Sequence, residues 1–179
     1  MKRILALSAV FTSLTASVEA LNAPQKLDFY VGADAQATSV SLNPVNADGR
    51  FATMGLRAGV YLFKGVAIEA QTSTSVSDDT IASINTEMDS SHAVLIRLQT
   101  PRKQGFLFDL GLGYASTNLT LVDPETQTHE ELTEDGFAWS ARVDYALTSH
   151  WRVAFDYTAR NNSNTTDIDS YGLGVSYTF

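Results

Sequence analysis

The last nine residues of this chain, YGLGVSYTF, alternate strictly between large apolar side chains and small or hydroxyl side chains. Every second residue is large and apolar: Tyr171, Leu173, Val175, Tyr177 and Phe179. The residues between them are glycine, serine and threonine. A period of two is the pattern of a β-strand whose two faces have different surroundings. The alternation continues to the final residue, whereas the ends of soluble domains are usually polar and frayed. We therefore expect the last strand to belong to a sheet with one strongly apolar face.

Seven further segments repeat this alternation, so the sequence predicts eight strands. In one of them Phe106, Phe108 and Leu110 stand on one face, and Asp109 and Gly111 stand on the other. The eight predicted strands lie in the segments LDFYVGADA, TMGLRAGVYLF, GVAIEAQTS, HAVLIRLQT, GFLFDLGLGYAS, GFAWSARVDYAL, WRVAFDYTAR and YGLGVSYTF.

The predicted connections between these strands alternate between tight and long. Three are tight, at residues 63–65, 101–104 and 148–150. The other four are long and polar, at residues 38–50, 78–90, 119–135 and 161–169. This pattern indicates an up-and-down barrel with one flat rim and one looped rim. Bacterial outer-membrane barrels have short turns on the periplasmic side and longer loops outside.

The N-terminal segment MKRILALSAVFTSLTASVEA has the features of a secretory signal peptide. Lys2 and Arg3 form a positive n-region, and the apolar stretch 4–14 is too short to span a membrane as a helix. Cleavage is expected after Ala20, with Ala23 as the alternative. The sequence therefore predicts a signal peptide at residues 1–20 and an outer-membrane β-barrel domain at residues 21–179.

Charge and cysteine content narrow the possible functions. The net charge is −8, and loss of the signal peptide would make it −9, which argues against nucleic acid as a partner. Cysteine is absent, which excludes disulfides and thiolate metal sites. We expect no cofactor and no metal site. An exported chain without a spanning apolar helix can enter a membrane only as a closed barrel.

Alternation alone does not say which face of the barrel points to the core, so a soluble lipocalin-like barrel competes with a membrane barrel. Small residues on the polar face suit a narrow lumen, and aromatic residues near the strand ends suit membrane interfaces. The polar face carries Gly32, Gly55, Gly59, Gly111, Gly113, Gly172 and Gly174. The aromatic residues are Tyr145, Trp151, Tyr177 and Phe179 near the flat rim, and Phe137 and Trp139 near the looped rim. The sequence therefore predicts an all-β fold, an eight-stranded antiparallel up-and-down transmembrane β-barrel.

The chain resembles the small eight-stranded outer-membrane barrels of the porin family, which are related to the transmembrane domain of outer-membrane protein A and to opacity-type surface antigens. The resemblance lies in FYVGADA at the first strand, in LGLGY at residues 110–114 and in the final YGLGVSYTF. It implies a Gram-negative bacterium, an outer-membrane location and contact with membrane lipid and lipopolysaccharide.

The final strand also resembles the C-terminal signal that the barrel assembly machinery reads in such proteins. Gly174, Tyr177 and Phe179 match that signal, whereas Gly172 stands where a polar residue is usual. The resemblance therefore implies that the assembly machinery is a partner during biogenesis.

Charged residues on the polar face of the predicted strands are expected to form a network in the lumen. Unpaired charges would be costly there, so acids and bases should pair and plug the barrel. The alternative is a narrow passive channel for small ions or solutes. The network comprises Asp28, Asp34, Arg57, Glu69, Arg97, Asp109, Arg142, Asp144, Arg152, Asp156 and Arg160.

Two other kinds of site were considered. Lipid A-modifying enzymes exist on eight-stranded barrels, and His92, with Asp89, Ser90 and Ser91 beside it, is the histidine best placed for such chemistry. A solvated histidine at the rim is the simpler interpretation, and no catalytic residues are predicted. The acidic segment 123–135 could bind divalent cations, but it does not match a calcium loop, so a solvated loop is favoured.

The sequence as a whole predicts a non-enzymatic outer-membrane barrel. Its expected role is structural, adhesive or surface recognition, through an unknown extracellular partner that contacts the loops. The protein is expected to be a monomer.

Overall fold

The computed structural model describes residues 27–42, 47–77, 79–81, 84–100, 105–122, 129–160 and 166–179. These residues form nine antiparallel strands: β1 (Asp28–Leu42), β2 (Ala47–Phe63), β3 (Val66–Ser75), β4 (Asp79–Ile81), β5 (Ile84–Gln99), β6 (Phe106–Val122), β7 (His129–Ala146), β8 (Trp151–Arg160) and β9 (Thr166–Thr178). Within the described ranges, no helix is long and apolar enough to cross a membrane.

The strands close into a barrel. The order in the sheet is β3-β2-β1-β9-β8-β7-β6-β5-β4, and β3 also pairs with β5. Since β3 and β4 pair with successive parts of β5, they are two parts of one barrel strand. The barrel therefore has eight strands, and the predicted fold class is confirmed. The final strand does pair with the first, over Tyr30–Leu42 of β1.

The stagger of the strands makes the barrel narrow. A ladder of paired residues that starts at Tyr30 passes once around the barrel and returns to β1 at Val40, ten residues further along. For eight strands this stagger gives a tilt of about 40° and a Cα radius of about 8 Å. An interior of that width has room for side chains and little else.

Two tight turns confirm the flat rim. Lys64 and Gly65 connect β2 to β3, and Gly65 has a φ of 80°, which a residue with a Cβ adopts only with strain. Residues 147–150 connect β7 to β8, where the hydroxyl of Thr148 accepts the backbone N–H of Trp151 at 2.9 Å. The predicted turn at 101–104 lies outside the described residues. We call this rim, which also holds Phe179, the turn end, and the opposite rim the loop end.

Most large apolar side chains near the turn end point outward, whereas Tyr30, Leu95 and Leu107 are buried in the lumen. Charged and small side chains of the same strands point into the lumen. On β6, Phe106 and Tyr114 are both exposed and lie eight residues apart, which is about 20 Å along the membrane normal. This matches the apolar band of roughly 25 Å on outer-membrane barrels. The band includes Phe29, Val31, Leu56, Ile68, Ile96, Phe108, Leu112, Phe155 and Leu173.

The predicted long connections are wrong for most of their length. The described strands continue into all four segments. β1 ends at Leu42 and β2 begins at Ala47, while β8 ends at Arg160 and β9 begins at Thr166. β4 ends at Ile81 and β5 begins at Ile84, while β6 ends at Val122 and β7 begins at His129. The barrel wall therefore extends well beyond the apolar band.

This prediction is wrong because, near the loop end, the apolar side chains point into the lumen and the polar side chains point outward. On β6, Tyr114 is exposed on the outer face, but further along it is Leu119 that is buried in the lumen, with Asn118 outside. On β9, Tyr171 points outward while Ile168 is buried. The outer wall is therefore polar beyond the apolar band and the lumen is apolar there, as in a water-soluble barrel.

Candidate functional site: the lumen and the two ends of the barrel

A carboxylate on β3 is the centre of the polar lumen. Glu69 is fully buried and accepts hydrogen bonds from Tyr30 at 2.7 Å and from Gln71 at 2.8 Å. The Nε of Arg97 donates to it at 2.8 Å, and both Nη atoms of Arg142 donate to it at 3.1 and 3.3 Å. Both carboxylate oxygens are therefore bonded, by side chains from β1, β3, β5 and β7.

Two further carboxylates complete this arrangement. Asp109 accepts a bond from Nη1 of Arg97 at 2.7 Å. Asp156 accepts one from Nε of Arg142 at 2.8 Å and lies 3.7 Å from Nη2 of Arg97. All four side chains are less than one-tenth exposed. We call Glu69, Arg97, Asp109, Arg142 and Asp156 the charge layer. It connects strands on different sides of the lumen.

Glycines next to the charge layer make room for its largest neighbours. Tyr30 on β1 pairs with Gly59 on β2, and a Cβ at Gly59 would overlap the tyrosine ring. Arg57 forms an ion pair with Asp34 at 3.2 Å. Its guanidinium also lies against Gly174 of the final strand, where a Cβ would stand 2.7 Å from Nη2. Gly174 thus has a packing role in the lumen.

The remaining predicted lumen charges lie on either side of the charge layer. Towards the turn end, Arg152 donates to the hydroxyl of Tyr61 at 3.1 Å, and the Oδ2 of Asp144 is buried without a hydrogen-bond partner. Asp28 lies at the start of β1 and is partly exposed. Towards the loop end, Arg160 is buried and donates to Ser170 at 2.8 Å.

Hydroxyl groups fill the lumen above the charge layer. Ser170 accepts from Arg160, and Thr38 lies 2.9 Å from Ser170 and 3.0 Å from Thr53. Thr53 in turn donates to the backbone oxygen of Gln36 at 3.4 Å. Because Thr53 donates its one hydroxyl proton to Gln36, it accepts from Thr38, and Thr38 in turn accepts from Ser170.

An apolar cluster lies inside the barrel at the loop end, and the sequence interpretation missed it. The cluster consists of five side chains from five strands, each at most 2% exposed: Val40, Phe51, Met88, Leu119 and Ile168. Leu132 packs against it. All of these residues except Phe51 fall within the segments predicted as long connections. They are single apolar residues among polar ones, and all except Met88, which follows a register shift near Ser90, alternate with the positions of the apolar band on their strands.

His92 and Ser91 lie on opposite sides of the barrel wall. The side chain of His92 is exposed on the outer face, whereas Ser91 is buried in the lumen and bonds Thr117 at 2.9 Å. An irregularity in the pairing lies between Met88 and Ser90, and Asp89 accepts the hydroxyl of Thr120 at 2.5 Å. Among the residues that the structure describes, no group of histidine and carboxylate side chains is arranged to hold a metal ion.

The final strand carries part of an aromatic group at the turn end. The ring of Tyr177 lies 5.0 Å from that of Trp151, 5.2 Å from that of Phe179 and 5.5 Å from that of His150. The backbone N–H of Phe179 donates to Phe29 at 2.9 Å, while its side chain remains 68% exposed on the outer face. A second aromatic pair, Trp139 and Tyr157, lies at the loop-side edge of the apolar band.

This architecture matches a known family. The model of the outer membrane protein beta-barrel domain matches residues 6–179. The chain belongs to this family. It is therefore a β-barrel protein of the outer membrane. None of the curated proteins compared with this chain matches it.

Solved structures of small outer-membrane barrels have the same fold. Ail of Yersinia pestis, solved with the heparin analogue sucrose octasulfate, aligns with a TM-score of 0.66 at 10% identity, covering 87% of this chain and 100% of Ail. Neisserial surface protein A gives 0.67 at 15% identity, with 87% and 100% covered. OprG of Pseudomonas aeruginosa gives 0.58 at 17% identity, with 85% and 95% covered. At these identities the likeness concerns the fold alone.

Proposed function

We propose that this protein is a closed, non-conducting barrel that presents its loop end for structural contacts and recognition at the cell surface. The observation that supports this proposal is the presence of two different groups of contacting side chains in one lumen, and we propose that each group is a closure. The charge layer joins β3, β5, β6, β7 and β8 by ion pairs of 2.7–3.1 Å. The apolar cluster closes the lumen again at the loop end.

Both closures oppose the passage of an ion. A permeating ion would have to separate Arg142 from Glu69 and Asp156, which leaves charges unpaired in a poorly hydrated interior. It would then meet the apolar side chains of the cluster, among them Phe51 and Met88, which offer an ion no favourable contact. The alternative, a narrow passive channel, requires both closures to rearrange.

Conductance measurements separate these two functions. Purified protein in planar bilayers should give no discrete current steps in molar potassium chloride. A variant with both closures weakened, Arg142→Ala with Phe51→Ala, serves as the positive control for insertion. Regular steps of uniform size from the wild-type protein would support the channel and contradict the closed barrel.

The charge of the loop end indicates the chemistry of a surface partner. Arg50 and the buried Arg160 are the two lysine or arginine residues on the described strand segments beyond the apolar band. Five acidic residues whose side chains the structure describes lie on the same segments: Asp89, Glu134, Asp135, Asp167 and Asp169. Such a surface attracts cationic partners and repels anionic ones.

Ail was solved with a polyanion, and we infer the opposite preference for this chain. Cells or vesicles that display the protein should adhere to a polylysine-coated surface more than matched cells without it, and added salt should weaken the adhesion. A heparin-coated surface is the control. Preferential retention on heparin would contradict this inference.

Two narrower expectations belong to the same proposal. We expect the protein to be a monomer that the assembly machinery recognises through its final strand. We also expect no catalytic role, because His92 and Ser91 point to opposite sides of the wall. Mass spectrometry of lipid A from cells with the wild-type gene, without it, and with His92→Gln tests the enzymatic alternative. A lipid A modification that depends on the gene would support that alternative.

A further inference from the structure

The outer face of the apolar band is uneven around the barrel. On β6 to β9 it carries large side chains, among them Phe108, Phe155 and Leu173. On β1, β2 and β3 many outward positions are small, including Ala33, Ala35, Ala58 and Ala70. The bilayer therefore meets a shallow recess on one side of the barrel.

Two grooves cross this recess side by side and extend beyond it, groove A onto β5, β8 and β9 and groove B onto β5 and β6. Groove A has a volume of about 850 Å³, with Ala33 and Ala35 along it, and it ends at Thr74 and Ser90. Groove B has a volume of about 740 Å³, with Ala58 and Ala70 along it, and it ends at His92 and Ser116. Leu56 lines both grooves and separates them. Volumes of roughly 300–1,000 Å³ are those of ligand-binding clefts.

The grooves lie at a defined depth in the membrane. Groove B begins at Val31, next to Tyr30 of the lumen, and reaches Ser116, which lies two residues beyond Tyr114 at the edge of the apolar band. Thr72 pairs with His92, and His92 pairs with Ser116, so these three side chains lie in one row. The groove therefore rises by roughly 15 Å from mid-membrane, about the hydrocarbon thickness of one leaflet.

The outward-facing polar side chains that line each groove lie towards its loop-side end, which is the arrangement that an amphiphile requires. Asn118 donates to the hydroxyl of Ser90 at 3.3 Å, which leaves the hydroxyl proton of Ser90 available to a ligand. His92 is exposed at the end of groove B. Arg50 is exposed on the outer face of β2, four residues beyond Met54 of groove A.

We propose that grooves A and B bind two neighbouring acyl chains of one lipid A molecule in the outer leaflet, with its phosphate-bearing headgroup beside Arg50 and His92. Two parallel apolar grooves fit a lipid whose chains leave the headgroup together. The neutral polar groups at the groove ends and the Arg50 cation beyond groove A fit a phosphate-bearing headgroup, in contrast to the acidic residues elsewhere at the loop end. This inference is independent of whether the lumen conducts.

The test compares lipid retention by native mass spectrometry after extraction of the protein from its own outer membrane in mild detergent. The wild-type barrel should retain lipid A in a 1:1 ratio. Filling the grooves with Ala35→Phe and Ala58→Phe should reduce the retained fraction at least fivefold. Ala141→Phe, an exposed alanine on the outer face of β7, is the matched control and should change it less than twofold.

A second pair of variants keeps the test valid if the filled grooves impair folding. Arg50→Gln with His92→Gln leaves the apolar face unchanged and should also lower retention severalfold. Delipidated, refolded wild-type protein should rebind added lipid A in preference to phosphatidylethanolamine. Equal retention by wild type, filled-groove variant and control would overturn the proposal. So would preferential rebinding of phosphatidylethanolamine, or a wild-type dimer that Ala58→Phe converts to a monomer.

Discussion

Replacing Arg142 by methionine tests whether the charge layer holds the barrel together. Arg142 makes one hydrogen bond to Asp156 and two to Glu69, and all three side chains are nearly or fully buried. Removing one partner of a buried ion pair costs about 3–5 kcal/mol, because the other partner stays buried and charged. We therefore expect Arg142→Met to lower the free energy of unfolding by that amount.

Arg152→Met is the matched control, since it removes the same side chain from the next strand. Arg152 makes one hydrogen bond, to the neutral hydroxyl of Tyr61, so its loss should cost about 1–2 kcal/mol. Urea unfolding of the refolded protein, followed by tryptophan fluorescence and by migration of unboiled samples on gels, measures both. With an m-value of about 2 kcal/mol/M, the midpoint of Arg142→Met should fall by about 2 M.

A rescue experiment separates the network from simple loss of packing. Adding Glu69→Gln to Arg142→Met removes the charge of one of the two carboxylates that lose their bonds to Arg142. About 1–2 kcal/mol of the lost free energy of unfolding should therefore be recovered. The reasoning is refuted if Arg142→Met costs no more than Arg152→Met. It is also refuted if the second substitution adds its own full cost and recovers nothing.

Three further predictions concern the faces, the loop end and the final strand. Val143→Arg, on the outer face of β7, should cost about 2–4 kcal/mol in lipid vesicles, whereas Ala146→Ser, on the lumen side, should be nearly silent; equal effects would contradict the face assignment. Leu119→Ala, in the apolar cluster, should cost about 2–4 kcal/mol in the same unfolding assay, and no measurable loss would mean that the cluster is not a core. Deletion of Phe179, which is 68% exposed, should leave refolding in detergent close to normal but should reduce outer-membrane levels in cells, as shown by fractionation; normal levels would exclude a role in assembly.

The sequence predicted the fold and the membrane-facing surface because the outer face of the apolar band is uniform. Along β6, every second side chain from Phe106 to Tyr114 faces lipid. The sequence therefore alternates regularly between residues that suit lipid and residues that suit the lumen. The strand count, the closing pair and the turns near Gly65 and Thr148 follow from the same regularity.

The extent of the strands could not be predicted in this way. At the loop end, the outer face meets water while Phe51, Leu119 and Ile168 face one another inside. A polar segment with an occasional apolar residue then has the composition of a loop. The distinction depends on apolar residues from five strands meeting in space, which no local window contains.

The pairing in the lumen was also beyond the sequence. Alternation places Glu69 and Arg142 on the inner face, but they are 73 residues apart and their contact depends on the stagger of every strand between them. The packing role of Gly174 beside Arg57 has the same origin. Sequence reasoning could name these residues, while only the closed barrel determines their partners.

The change from lipid-facing to water-facing wall sets how deeply the protein sits in its membrane. On β6 the outward residues change from Tyr114 to Ser116, and on β9 from Tyr171 to Asp169, within one repeat of the strand. One repeat rises by about 5 Å along the membrane normal. If the barrel moved by that distance along the membrane normal, the carboxylate of Asp169 on β9 and the hydroxyl of Ser116 on β6 would enter the hydrocarbon. A membrane of different thickness must therefore adapt to this barrel by stretching or thinning around it, because the barrel cannot slide to meet it.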